Sequence, residues 1–386
     1  MGSVGAWGAS ERGERQSVRS VRARAAGAAS TRFTLQRSDA PDAPHATYGW
    51  QSHTSDIKLN LMSWQVLITA SGVARAGQQA QTLLRESGCQ AILPQKFGPL
   101  RASELMPLLA GKDAVIASLD EYSEDVLCSP AARNLKIIAR WGVGYDSVDL
   151  AAATRRGIAV TYTPGLLDET VADYTFALLL SLVRRVPEGH IGMRAREWKV
   201  VWGNDVAGKT LGIVGLGRIG LAVARRAAGF NLRILACSRK PKAQPENVSV
   251  EFVPLEQLLG DSDFVSLHAV LTPETRGLIG TAELRVMKPN AYLINTARGA
   301  LVDETALASA LRERRIAGAA LDVFATEPLP LDSPLRDTPN LLLSPHQASF
   351  TYETGERVSL AAAHSVVELM QGRTPRNLLN PEVLRA

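Results

Sequence analysis

The segment Leu211-Gly-Ile-Val-Gly215-Leu-Gly217-Arg-Ile-Gly220 constrains the fold more than any other stretch of the chain. A β-branched apolar run leads into G-x-G-x-x-G, and Leu221–Ala228 continues with the apolar period of a helix. Gly215 permits the tight turn, Gly217 lets the backbone approach a pyrophosphate, and Gly220 lets the helix pack on the strand. With Arg218 and Ile219 between them, the turn would offer free N–H groups and the positive end of a helix dipole to a phosphate. An ordinary strand–turn–helix corner is the competing reading. The strand before the glycines and the helix after them argue for a dinucleotide site.

Around this motif, short β-branched runs alternate with longer Ala/Leu/Arg-rich segments from residue 64 onward, the pattern of an α/β protein built on parallel sheets. The first series predicts strands at Gln65–Thr69, Ala114–Ala117, Ile137–Ala139 and Ala159–Tyr162, with helices such as Ala74–Ser87 and Leu150–Arg156. A long helix over Asp168–Arg185 follows, then a link containing Pro187 and Trp198. The second series runs through Thr210–Val214, Arg233–Ala236, Phe264–Leu267, Ala291–Asn295, Gly318–Leu321 and Leu341–Leu343, and six strands suit a dinucleotide fold. Two doubly wound units are therefore expected, and a chain of 386 residues with 46% hydrophobic content can fill both cores without disulfides.

Composition removes several classes of partner. The net charge is +5, but residues 1–60 hold eight Lys/Arg against five Asp/Glu, leaving +2 for the rest, so no nucleic-acid surface is implied. The longest apolar run, Phe176 to Val183, is far shorter than the roughly 20 residues of a membrane span. Cys89, Cys128 and Cys237 are scattered in apolar surroundings, which fits the reducing cytoplasm better than a disulfide framework or a zinc site. Residues 1–61 lack periodicity of either kind and read as a disordered leader. A transit peptide would share their Arg/Ser/Ala bias, yet Glu11 and Glu14 interrupt the most basic part.

About 20 residues after the glycine turn, an enzyme of NAD usually offers a carboxylate to the ribose hydroxyls. Here the sequence reads Ala236-Cys237-Ser238-Arg239-Lys240. A 2′-phosphate would instead be held by the Ser238 hydroxyl and the Arg239 guanidinium, which points to NADP over NAD. The alternative is a solvated basic turn and an enzyme that accepts both.

Three further groups terminate adjacent strands of the second series, where doubly wound sheets face their ligand crevice. Arg298 ends the fourth strand, and its planar fork suits a small carboxylate. Glu327 follows the fifth and His346 ends the sixth, so a carboxylate can hold an imidazole that gives a carbonyl oxygen its proton. His45, His53, His190 and His364 have bland contexts. His268, after the third strand, is placed near the cofactor by topology but is not the expected proton donor. No set of residues shows metal-ligand spacing.

From about Trp64 to Glu382 the chain resembles the D-isomer-specific 2-hydroxyacid dehydrogenases, with their phosphoglycerate dehydrogenase and glyoxylate/hydroxypyruvate reductase branches. The resemblance rests on Arg140-Trp-Gly-Val-Gly-Tyr-Asp-Ser-Val-Asp149, the glycine turn, Asn295-Thr-Ala-Arg-Gly-Ala-Leu-Val-Asp-Glu304, Ala320-Leu-Asp-Val-Phe324 with Glu327-Pro328, and Ser344-Pro-His346. It implies reversible hydride transfer between NAD(P)H and a 2-oxo acid, giving a D-2-hydroxy acid, with His346 as acid/base, Glu327 tuning it and Arg298 binding substrate. By the same resemblance Asp322 anchors the nicotinamide amide, Thr296 lines the cofactor, and the backbone of Val143 and Gly144 receives the substrate carboxylate. A Rossmann domain over 161–345 is expected to be inserted into a flavodoxin-like substrate domain of 62–160 plus 346–386. A homodimer through the Asp168–Arg185 helix is also implied, although its Ala177–Val183 face suits a core equally well.

Departures from the family pattern concern the substrate. Ser118-Leu-Asp-Glu-Tyr-Ser stands where phosphoglycerate dehydrogenases usually carry an arginine for phosphate. Gln347-Ala-Ser-Phe follows His346, and Val270 replaces a frequent proline. A nicotinamide-sensing binding protein or corepressor-like scaffold on the same fold is the rival reading.

Overall fold

The computed structural model of the protein describes residues 63–239 and 247–385. The leader expected over 1–61 and Lys240 of the basic turn lie outside the described residues. The first sheet contains β1 (Gln65–Ile68), β2 (Gln90–Ile92), β3 (Ala114–Ala117), β4 (Ile137–Arg140) and β5 (Ala159–Thr161), all parallel in the order β2-β1-β3-β4-β5. Strands β3, β4 and β5 are buried at every position, which is why they read as continuous apolar runs rather than alternating ones.

The second sheet contains β6 (Thr210–Val214), β7 (Arg233–Cys237), β8 (Glu251–Phe252), β9 (Phe264–Leu267), β10 (Tyr292–Asn295), β11 (Gly318–Leu321) and β12 (Leu341–Leu343). Its order is β12-β11-β10-β9-β6-β7-β8, again all parallel. The direction of winding reverses between β6 and β9, and a crevice opens at the carboxyl ends of such a pair. Seven strands replace the six expected; the addition is β8, two residues on the edge beside β7, too short to show a period.

Three other elements differ from expectation for identifiable reasons. The helix expected over 74–87 is two helices, Ser71–Ala76 and Gln78–Glu86. They break at Gly77, where a Cβ would fall 2.7 Å from Ser359 Cβ and 2.8 Å from the Val73 carbonyl oxygen. The edge strand β2 has no fully buried residue, so its sequence carries no core signal. The link around Pro187 begins with a helix, Val186–Arg194, that buries nothing and therefore has no apolar stripe to read.

Helix Asp168–Val183 buries Phe176, Leu178, Leu179, Leu182 and Val183 in the second-sheet core with Ala222, Val223 and Ile294. Of the two readings its sequence allowed, the apolar face is thus core of the monomer. The long helix Tyr352–Met370 returns to the first sheet: Val358, Ala362, Ala363 and Val366 join the core formed by Val66, Ile68, Ile116 and Ile137. Full burial of an aliphatic side chain of this kind contributes about 1.5–3 kcal/mol, so this helix is integral to the first lobe although it follows the whole second sheet in sequence.

Candidate active site

A cleft of about 1430 Å³ lies between the two sheets, lined by the β4 loop on one side and by the carboxyl ends of β6, β9, β10 and β12 on the other. His346 Nδ1 lies 2.7 Å from Glu327 Oε2, and the other Glu327 oxygen accepts the Phe324 amide at 2.9 Å. The carboxylate is thereby fixed at both ends, which leaves the imidazole's second nitrogen as its remaining polar atom. His346 has φ of +51°, a left-handed conformation that a histidine adopts at a cost, and its amide donates to the Asp322 carbonyl at 2.7 Å.

Asp322 is fully buried. Its Oδ1 accepts from the Ser344 hydroxyl at 2.7 Å and the Gln347 amide at 3.0 Å, and its Oδ2 accepts from the Ala348 amide at 2.8 Å. Burial raises its carboxyl above the usual aspartate range, against these hydrogen bonds. Through these bonds the side chain braces the loop that carries His346, just behind the residues that line the cleft.

Arg298 follows β10 on a turn held by Asn295, whose side chain donates to the Arg298 carbonyl at 2.9 Å and accepts the Ala297 amide at 3.0 Å. The next residue must be glycine: a Cβ on Gly299 would lie 1.9 Å from the Phe324 carbonyl carbon and 2.3 Å from the Ala325 nitrogen. That close approach brings the Arg298 turn against the Glu327 loop. Arg298 Nε donates to Asp146 Oδ1 at 2.9 Å and Nη1 to the Ala297 carbonyl at 2.7 Å. Val143 and Gly144 line the cleft opposite, and a Cβ on Gly144 would fall 1.2 Å from Arg298 Nη2.

The glycine turn has the shape a pyrophosphate requires. Gly215 has φ of +97°, a Cβ on Gly220 would lie 2.3 Å from the Gly215 carbonyl oxygen, and a Cβ on Gly217 would meet only open space. Helix Arg218–Gly229 starts at Gly217 without a side-chain cap, so its first N–H groups face outward to the cleft where Arg218 and Ile219 also lie. Thr296 lines the cleft and shares a hydrogen bond of 3.0 Å with the Thr175 hydroxyl. His268 lines it too; its Nε2 is 2.8 Å from Ser266 Oγ, and burial pushes its pKa down to about 4. These groups fit a dinucleotide.

Ser238 is half-buried and Arg239 exposed, immediately after β7 and apart from the residues lining the main cleft. Two further charged residues escape sequence reasoning. Arg140 and Asp146 sit inside the Arg140–Asp149 segment, yet only the tertiary structure brings Asp146 to Arg298, 152 positions away. The available signal was an arginine closing an otherwise apolar strand.

Residues 176–348 match the model of the D-isomer specific 2-hydroxyacid dehydrogenase NAD binding domain. The chain is 49% identical over 281 residues to a glyoxylate reductase of Korarchaeum cryptofilum, covering 71% of this chain and 84% of that one. It is similar to a solved structure from Thermus thermophilus, with a TM-score of 0.74, 42% identity, and coverage of 82% of this chain and 99% of that one. It is also similar to the D-lactate dehydrogenase of Aquifex aeolicus solved with NAD and lactic acid, with a TM-score of 0.72, 26% identity, and coverage of 82% and 99%. The nicotinamide crevice, the relatives and the fold agree: the chain belongs to the D-isomer specific 2-hydroxyacid dehydrogenase family and is an NAD(P)-dependent oxidoreductase of 2-hydroxy and 2-oxo acids.

Proposed function

We propose that the protein reduces glyoxylate and hydroxypyruvate to their 2-hydroxy acids, using NADPH in preference to NADH. The observation that carries this reading is the Glu327–His346 contact of 2.7 Å at the edge of a cleft that also receives Arg298 and the glycine turn. Residues 161–345 act as the cofactor domain, and 62–160 with 346–386 as the substrate domain.

The nicotinamide, when bound, supplies the hydride. His346 gives a proton to the substrate oxygen, and Glu327 fixes the ring that delivers it. Arg298 binds the carboxylate and offsets negative charge developing on the carbonyl oxygen, assisted by backbone amides around Val143 and Gly144. Gly215, Gly217, Arg218, Ile219 and Gly220 would hold the pyrophosphate, and Thr296, His268 and Asp322 would serve the nicotinamide side. Ser238 and Arg239 take a 2′-phosphate.

A small substrate is supported by the glyoxylate reductase relatives and by the segment after β3, which offers Ser118 and Leu119 to the cleft in place of a phosphate-binding arginine. Location in the cytoplasm is supported by the unpaired Cys89, Cys128 and Cys237. A homodimer is supported by the segment after residue 185, which exposes Ile191, Met193, Trp198, Val200 and Trp202. The deciding measurement is oxidation of NADPH and NADH by purified protein across a panel of glyoxylate, hydroxypyruvate, 3-phosphohydroxypyruvate and pyruvate. No turnover with any of them would overturn the enzymatic reading in favour of a nicotinamide-sensing binder.

A further inference from the structure

Gly144 is gripped from two sides. From beneath, the fully buried Arg140 donates through Nε to the Gly144 carbonyl at 3.0 Å and through Nη1 to the Ala117 carbonyl at 2.6 Å. Asp120, also fully buried, faces this guanidinium; it accepts the Leu100 amide at 3.0 Å, the Ser118 amide at 3.2 Å and the Thr69 hydroxyl. Burial lowers the pKa of Arg140 to about 10, which keeps it cationic at neutral pH. The peptide of Gly144 is therefore anchored to the rigid end of β4 before any substrate arrives.

From above, Arg298 reaches across from the other lobe. Its Nε is taken by Asp146 and its Nη1 by the Ala297 carbonyl, so the guanidinium has its rotation set at two of three nitrogens. The third, Nη2, rests where a Gly144 side chain would begin. Asp146 touches Arg298 through one oxygen at Nε and does not fork across the Nη1–Nη2 edge, the edge that a substrate carboxylate would use. It belongs to the same short loop as Gly144, so one loop fixes both the turn and the arginine that opposes it.

We infer that Asp146 is a positioning residue for the 2-oxo acid: by holding Arg298 Nε it aims Nη2 at the Gly144 turn, where the substrate carboxylate is received. This rests on the proposed reduction of 2-oxo acids. Asp146 acts through Arg298, on whose Nε its carboxylate is spent. A carboxylate beside the substrate arginine has a second conceivable role, as a competitor that substrate must displace, and the two roles change KM in opposite directions.

The test uses full-length Asp146→Ala and Asp146→Asn, at a position whose side chain is 38% exposed and can be changed without opening a core. Steady-state reduction of glyoxylate is measured with saturating NADPH, alongside cofactor Kd from nicotinamide fluorescence and thermal melting. Loss of a hydrogen bond to a charged group is expected to raise KM for glyoxylate about tenfold or more in Asp146→Ala. Cofactor Kd should stay near wild type, and Asp146→Asn should recover much of the loss because its amide oxygen still accepts from Nε. A KM that is unchanged or lower in Asp146→Ala overturns the inference, as does an Asp146→Asn variant as impaired as the alanine. Absence of turnover in the wild type would instead remove the proposed function, and this inference with it.

Discussion

Glu327 joins two loops through its two oxygens, one on His346 Nδ1 at 2.7 Å and one on the Phe324 amide at 2.9 Å. The imidazole is held by a group that is itself held, so it presents a fixed nitrogen to the cleft.

His346→Ala is expected to lower kcat by about 10²–10⁴-fold, the usual contribution of a positioned acid/base, while cofactor Kd stays close to wild type. Glu327→Gln should lower kcat less, because an amide oxygen can still accept from the ring. Turnover in His346→Ala near the wild-type rate would identify a different proton donor.

Gly144 and Gly299 both lack room for a Cβ, but against different neighbours. At Gly299 the obstruction is backbone of Phe324 and Ala325, so alanine there should destabilise the protein by about 1–3 kcal/mol. At Gly144 it is the tip of the Arg298 side chain, which can swing away. Gly144→Ala should therefore melt near wild type and lose substrate affinity. Denaturant unfolding and KM, measured on both variants, separate the two outcomes.

His268 gives a prediction about pH. Burial pushes its pKa from 6.5 to about 4, so the unfolded chain binds this proton more tightly than the native state does. Stability should fall as pH drops from about 6.5 towards 4. Asp120 and Asp322, whose carboxyls burial pushes up, act in the opposite sense. The informative quantity is thus the difference in Tm between wild type and His268→Gln, which should shrink or reverse against the wild type as the pH is lowered. A difference independent of pH would mean that the imidazole protonates freely in the native state.

Ser238→Asp combined with Arg239→Ala should shift kcat/KM from NADPH towards NADH, since a carboxylate accepts from ribose hydroxyls and repels a 2′-phosphate. An unchanged ratio would place the phosphate contact elsewhere. The exposed Glu274, whose carboxyl is lowered first by the Thr272 hydroxyl and a backbone amide and only lastly by the charge of Arg239, still competes for that guanidinium, so Glu274→Gln should slightly strengthen NADPH binding.

Trp198 and Trp202 are 88% and 87% exposed. Replacing both by serine should convert a dimer to a monomer in sedimentation experiments without loss of helical content. A wild type already monomeric at micromolar concentration would remove the dimer proposal.

The inner parallel strands were legible because burial turns them into uninterrupted apolar runs, and β3, β6, β9 and β11 match their expected limits, as does the half-buried all-leucine edge strand β12. The opposite edges, β2 and β8, were not: they bury too little to leave a pattern, and the helix after residue 185 buries nothing. Arg298, Glu327 and His346 stood out because charged groups closing apolar strands mark a crevice. Asp146 did not, since its meaning depends on an arginine brought to it by the packing of two lobes. Asp322 shows the opposite limit. Its position after β11 was readable, but the direction of its carboxylate depends on where the Ser344–Ala348 backbone passes.

The return of helix Tyr352–Met370 to the first sheet gives the two lobes unequal histories during synthesis. A ribosome delivers every strand of the second sheet before this helix, so that lobe can close on its own while β1, β3 and β4 still show an apolar flank to the cell. The early lobe keeps that flank uncovered until the helix emerges.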